Sequence, residues 1–192
     1  MILATRTVAS PVGALTLIAN DDTLVGLEFG DRHERQRGLA RHLERALGAY
    51  TLREAGDPAG AATRLERYFA GELAALAEQP VETFCTPFQR DVWGALRTIA
   101  AGATWTYARL AANAGRPRAV RAAGAANGAN PVAVFVPCHR VIAADGTLWG
   151  YGGGLARKRW LLAHERARFV DPDAQGALEL ETAPARRGPP RG

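Results

Sequence analysis

Residues 106–126 read TYARLAANAGRPRAVRAAGAA, and the organisation of the chain follows from them. Thr106 is suited to cap a helix running through Ala114, with Gly115 as its stop. Arg116-Pro117 then opens a second helix over roughly Pro117–Ala126. Two short helices joined across a tight Gly-x-Pro turn have helix-turn-helix proportions. The second helix is unusual for a reader of base edges, because such helices offer long polar side chains to the major groove. Here Ala119, Ala122, Ala123, Gly124, Ala125 and Ala126 leave Arg121 as the only long side chain in the middle. Small residues permit close approach to another surface. That surface is either the narrow minor groove of DNA, where sequence readout is poor, or another part of the protein in ordinary alanine-rich packing.

Working outward toward the N-terminus, Thr86-Pro87-Phe88-Gln89 is a capping box with proline at the first helical position. Phe88, Val92, Leu96 and Ile99 follow on one face, with Trp93 beside them, and Gly102 ends the helix. Further upstream, ILATRTVA, GALTLIA and TLVGLEF are β-rich runs separated by the turn-forming SPVG and NDD, which predicts three antiparallel strands. Leu39, Leu43 and Leu47 predict a helix over Arg32–Leu47. A second helix is expected to carry Leu65, Tyr68, Phe69, Leu73 and Leu76. Toward the C-terminus, the apolar run Val132–Val136 meets Pro137-Cys138-His139-Arg140. Val141–Trp149, with Asp145-Gly146 at its centre, reads as a hairpin or wing. Tyr151–Gly154 reads as a loop, and Leu155–Arg168 as a final helix. The expected fold is α+β. A small three-stranded antiparallel sheet with helices fills 1–84, and a mostly helical, winged helix-turn-helix-like domain fills 85–170. The Pro-, Gly- and Arg-rich stretch 171–192 reads as a disordered tail.

The 192 residues carry 24 basic and 19 acidic side chains, a formal net charge of +5. The distribution says more than the total. Residues 85–170 hold eleven arginines and one lysine against three acids, a net of +9, while 1–84 come to −3. The second half is therefore a basic module, which favours an acidic partner. No apolar run reaches the ~18–20 residues of a membrane span, and the N-terminus lacks the pattern of an export signal. A cytoplasmic, monomeric protein is expected.

Two cysteines, Cys85 and Cys138, are too few for a disulfide scaffold, and neither has zinc-ligand spacing. No metal and no cofactor are expected. Cysteine attacks only as thiolate and needs a base or positive charge nearby. His139 and Arg140 are the local candidates for Cys138. In an extended chain His139 points away from its neighbour, so a bend or a bridging water is needed. A third group must orient the imidazole. Among the three acids of the basic module, Asp91 falls on an outer helix face and Asp145 in a turn, leaving Glu165. The competing reading is a buried structural cysteine beside a histidine. Cys85, with no neighbouring base, reads as a packing or surface thiol.

Pro137-Cys138-His139-Arg140-Val141 resembles the active-site motif of the O6-alkylguanine-DNA alkyltransferases, or methylated-DNA–protein-cysteine methyltransferases. The resemblance takes in Thr86-Pro87-Phe88-Gln89, Val92-Trp93, Thr106-Tyr107, Leu110-Ala111, Arg121, Asn130-Pro131, Gly150–Gly154 and Leu161–Glu165, about 85 residues in order and spacing. Over 1–84 it is only general, a small domain of the ribonuclease-H-like kind. The resemblance implies that Cys138 accepts an alkyl group from O6 of a flipped guanine, irreversibly and once. It implies that His139 is the water-mediated base, Glu165 its orienting carboxylate, and Asn130 the tie between the recognition helix and the active-site segment. Tyr107 would donate toward N3 of guanine, and Arg121 would fill the vacated stack. Thr106, Ala119, Ala122, Ala123, Gly124 and Tyr151 would contact DNA, and Val141, Tyr151, Gly152 and Gly153 would join Tyr107 in lining the base pocket. Gly152 stands where some relatives have serine. The implied partner is duplex DNA bearing O6-alkylguanine, bound through the minor groove, with no obligatory protein partner. A non-catalytic lesion recogniser of the same fold is the alternative, and the presence of Cys138 counts against it.

Overall fold

Short apolar runs that alternate with polar residues pair into a sheet because one face can be buried. β1 (Ile2–Val8), β2 (Leu15–Asn20) and β3 (Thr23–Phe29) are each antiparallel to the next, as expected. The computed structural model describes residues 1–30 and 33–171. Apart from Asp171, the expected disordered tail lies outside the described residues. α1 (His33–Leu47) follows β3. It leads into a fourth strand, β4 (Thr51–Glu54), paired parallel to β1, so the sheet is mixed, in the order β3-β2-β1-β4. A parallel pairing needs a crossover, and α1 supplies it. All four residues of β4 are exposed, so the strand carries no alternation that the sequence could reveal.

Leu39 and Leu43 of α1 pack with Leu3, Ile18 and Val25 on one face of the sheet. The approach is close: a Cβ at Gly26 would sit 2.7 Å from Leu39 Cδ2, so a larger residue there would push the leucine side chain aside. The opposite face contributes Leu15, Leu17, Leu27 and Phe29 to a larger core that runs without interruption into the C-terminal half. α2 (Ala61–Phe69) adds Leu65 and Tyr68 to that core. It is shorter than expected: Gly71 adopts φ +107, and Leu73 and Leu76 fall in turns beyond it.

The C-terminal half opens with α3 (Pro87–Arg97), whose capping box is formed as read: the Thr86 side chain accepts from the Gln89 N–H, and the Gln89 side chain accepts from the Thr86 N–H. β5 (Trp105–Thr106) leads into α4 (Tyr107–Asn113), capped by Thr106, and α5 (Val120–Gly128) completes the helix-turn-helix. α5 begins three residues later than expected, because Arg116–Ala119 close a turn of their own through an Ala119 N–H to Arg116 carbonyl bond. The expected wing is also reduced. Ala143 and Thr147 close a tight turn, but β6 (Val141–Ile142) pairs parallel with β5 instead of folding back on a partner strand. α6 (Leu155–His164) is the last helix among the described residues; it stops four residues before the expected Arg168, and its Leu155 is exposed whereas Leu161 and Leu162 are buried.

Substituting Thr86→Ala removes the cap at the start of α3. Urea denaturation should register a loss of about 1 kcal/mol, the usual value of such a cap. An unchanged midpoint would show that α3 is held by packing alone.

Candidate active site

The Pro137–Arg140 segment is a tight 3-10 turn over Cys138–Arg140, not the end of an extended run. That bend is the one the sequence required if His139 and the neighbouring thiol were to share a site. The segment before it is equally constrained. Val136 N–H bonds to the Val132 carbonyl, and Val134 sits at φ +76, a conformation that β-branched residues avoid. Asn130, 2% exposed, holds this loop from inside: its amide donates to the Val136 carbonyl at 2.8 Å and its oxygen accepts from the Val132 N–H at 3.0 Å. Asn127, in the last turn of α5, reaches the Cys138 carbonyl at 3.4 Å. Both ends of the thiol's segment are thus tied to the end of α5.

Cys138 is 5% exposed and His139 is fully buried. His139 Nε2 lies 3.0 Å from Glu165 Oε1, at the C-cap of α6. Arg140 grips the same carboxylate with two bonds, Nε to Oε2 and Nη2 to Oε1, both 2.8 Å, and its third nitrogen donates to the Ile99 carbonyl. Burial alone would raise the Glu165 pKa, but bonds from His139 and Arg140 outweigh it and hold the carboxyl well below its ordinary range. An ionised Glu165 accepts only, so His139 Nε2 carries the proton and Nδ1 presents a lone pair. Nδ1 is buried and has no hydrogen-bond partner in the protein. Burial pushes the imidazole below its ordinary pKa, against the pull of Glu165, and Arg140 and Lys158 lower it further. The ring is a neutral base at pH 7.

Two groups here escaped the sequence reading. Lys158, the chain's one lysine, is fully buried on α6 and donates to the Val141 carbonyl at 2.6 Å and the Trp149 carbonyl at 2.8 Å. It therefore closes the loop that follows the motif at both ends. Burial pushes its pKa down to about 8, and the nearby Cys138 pulls it back up. Its spacing seven residues before Glu165, on one helix face, was a signal that could have found it. Tyr68 had no such signal; its hydroxyl donates to Glu165 Oε1 at 2.8 Å across 97 positions of sequence.

The remaining expected residues divide into two groups. Tyr107 lies against α5, where a Cβ on Gly124 would sit 3.5 Å from its ring, and its hydroxyl donates to the Trp149 carbonyl at 3.4 Å. Burial, and then Cys138, raise its pKa, so it remains a phenol donor. The Tyr151 ring meets His139 edge-on at 6.5 Å. Gly153 is buried where Phe29 and Tyr151 would each lie 2.7 Å from any Cβ, and Gly152 is half-buried beside it. Val141 is fully buried. On the outside, Arg121 and Ala122 are exposed, while Ala119 and Thr106 are half-buried. Ala123 departs from expectation: it is fully buried and packs into the core, because α5 must turn one side inward. No group of three or more metal-ligating side chains occurs among the described residues, and none of their helices is long and apolar enough to cross a membrane. Neither cysteine forms a disulfide.

Comparison with known proteins decides the family. Residues 87–167 match the DNA-binding domain of 6-O-methylguanine DNA methyltransferase, and residues 3–83 match its ribonuclease-like domain. The chain belongs to the 6-O-methylguanine DNA methyltransferase family. It is 46% identical over 159 residues to a methylated-DNA–protein-cysteine methyltransferase of Salmonella typhimurium, covering 82% of this chain and 92% of that one. A Mycolicibacterium paratuberculosis protein of the same name is 46% identical over 162 residues, covering 84% and 91%. Among solved structures, Mycobacterium tuberculosis OGT in complex with DNA superposes with a TM-score of 0.71 at 41% identity, covering 85% of this chain and 92% of that one. An O6-methylguanine-DNA methyltransferase from Pyrococcus kodakaraensis gives 0.67 at 27% identity, covering 85% and 98%.

The ionisations in this buried cluster set an acid limit on stability. Glu165 has a lowered folded pKa, so its stabilising contribution is present above the unfolded value of ~4.3 and is lost as pH falls through the folded one. His139 is held neutral, so acidification below ~6.5 favours the unfolded state, which takes up the proton more readily. Stability should fall from about pH 6.5 downward. Glu165→Gln should remove the steepest part of that fall below ~pH 5. It should also cost about 3–5 kcal/mol at neutral pH by leaving Arg140 buried without a counter-charge. Denaturant titrations across pH check both; parallel pH curves for the two proteins would overturn the assignment.

Proposed function

We propose that the chain repairs alkylated DNA by taking the alkyl group of O6-alkylguanine onto Cys138, once per molecule. Methyl transfer from DNA to the protein's own cysteine is the activity for which its relatives are named. The observation that carries the reading for this chain is the lone pair of His139 Nδ1, buried and unpartnered one residue from a nearly covered thiol, with Nε2 fixed by Glu165. In the proposed step the Cys138 thiol proton passes through a water to Nδ1. Sγ then forms a bond to the alkyl carbon, and the O6–carbon bond breaks. Tyr107 donates toward N3 so that guanine leaves as a neutral base. The reaction is irreversible because a thioether replaces the thiol, and no cofactor enters it.

A base inside a duplex is out of reach, so the guanine must be flipped at a cost of a few kcal/mol. We assign DNA contact to residues 85–170, with α5 in the minor groove. The exposed Arg116, Arg118 and Arg121 support this, as does the small-residue surface of Ala122 and Ala125, which permits close approach to the groove floor. Arg121 occupies the place of the flipped base. Tyr151 and the glycines after it form the lid over the base, and residues 1–84 support rather than contact DNA. A cytoplasmic location suits two reduced thiols.

Intact mass spectrometry after incubation with a duplex carrying one O6-methylguanine should show a gain of one methyl group, lost in Cys138→Ser. No gain in a protein that still binds the lesion duplex would favour a non-catalytic recogniser. Arg121→Ala should slow transfer from duplex by ten-fold or more while leaving transfer from the free base little changed; equal losses would overturn the stack-filling role. Binding should weaken steeply with salt, because neutralised phosphates release counterions.

A further inference from the structure

We infer that Tyr68, on α2 of the N-terminal half, is a positioning residue for alkyl transfer: its hydroxyl holds Glu165 so that His139 stays a neutral, correctly turned base. Tyr68 is fully buried, and its hydroxyl donates to Glu165 Oε1, the oxygen that also receives His139 Nε2 and Arg140 Nη2. Those other two donors come from the active-site turn itself; Tyr68 reaches it from the N-terminal half. The tyrosine is itself fixed from two directions. His164 Nε2 donates to the Tyr68 carbonyl at 2.8 Å, and the Tyr68 ring meets His164 and Phe69 edge-on at 5.0 and 5.2 Å. His164 in turn stacks on Trp160 at 4.9 Å. The end of α2 is thereby fastened to the end of α6 at the residue that orients the base.

The arrangement has a chemical consequence. Burial, and then the neighbouring Glu165, hold the phenol far above neutral pH in its protonated form, so Tyr68 is a donor whose state does not change with pH. Together with Arg140 it draws charge from Oε1, which keeps Glu165 a poor proton acceptor. A proton taken from Cys138 therefore stops at His139. The groups that set the imidazole are Glu165 and Lys158 at α6, Arg140 on its own turn, and Tyr151 at the ring edge. Deleting the phenol hydroxyl leaves more charge on Oε1, which stabilises the imidazolium and frees the carboxylate to rotate.

The inference rests on the proposed roles of Cys138 and His139, and Tyr68→Phe tests it because the ring packing is kept. The single-turnover rate of transfer from the O6-methylguanine duplex is measured from pH 5 to 9, alongside Tm. The acid limb should move upward by roughly half a unit to one unit, as expected for one lost bond to a charged group. The rate at pH 6 should fall several-fold. Leu65→Ala, on the same helix, should lower Tm and leave the pH profile in place. Replacing Tyr68 by 3-fluorotyrosine, a stronger donor of nearly the same shape, should move the limb the opposite way and serves if the phenylalanine variant folds poorly. Loss of Tm without any shift of the limb in either Tyr68 variant would overturn the inference. Failure of the underlying reading is separable, since Cys138→Ser would then retain transfer or His139→Gln would retain the wild-type acid limb.

Discussion

Burying a carboxylate costs several kcal/mol unless opposite charge and hydrogen bonds surround it, and Glu165 is buried with no side-chain exposure. Its compensation shapes everything around it. Arg140 must reach it with two bonds and His139 with one, although the two are adjacent in sequence. An extended chain would send them to opposite sides. The 3-10 turn at Cys138–Arg140 lets both converge, and Cys138 is the first residue of that turn. The Pro137–Arg140 segment is bent because the carboxylate needs two partners from consecutive residues.

A turn under that demand has to be braced, and the braces come from every direction. Asn130 closes the strained loop at Val134, Asn127 holds the Cys138 carbonyl, and Lys158 ties the Val141 and Trp149 carbonyls. The N-terminal half braces the far side. Arg157 donates to the Val12 and Gly153 carbonyls and lies over the Phe29 ring at 4.9 Å, which joins the first strands to the glycine loop. One core spans both halves. The sheet, remote in sequence from the thiol, is therefore part of what fixes its surroundings.

Which of these features the sequence revealed follows from how local each one is. The capping box at Thr86 and the Thr106 cap were readable because both lie within four residues. Glu165 is legible as the partner of the Pro137–Arg140 turn because the basic module has only three acids to choose among. β4 was not readable: its pairing comes from the parallel crossover and its side chains are all exposed. α5 starts later than its sequence signal because Pro117 opens a helix in isolation, yet here it sits inside a separate turn. Tyr68 could not be read as part of the site. Its partner lies 97 positions away, and along α2 it is one more apolar-face residue.

Charge shows the same division between site and surface. The buried set of Arg140, Lys158 and Glu165 accounts for one unit of the +9 on residues 85–170. Of the other acids, Asp91 pairs with Arg116 at 3.1 Å and Asp145 caps its own turn at Thr147. Nearly all of the excess therefore belongs to arginines outside that buried cluster. Phosphate attraction is indifferent to sequence, and an α5 surface of alanine with one arginine offers few bonds to base edges. Under the proposed reading, affinity comes from the arginines and selectivity from the buried thiol and its base. That division suits a protein whose substrate is defined by a lesion and not by its neighbours.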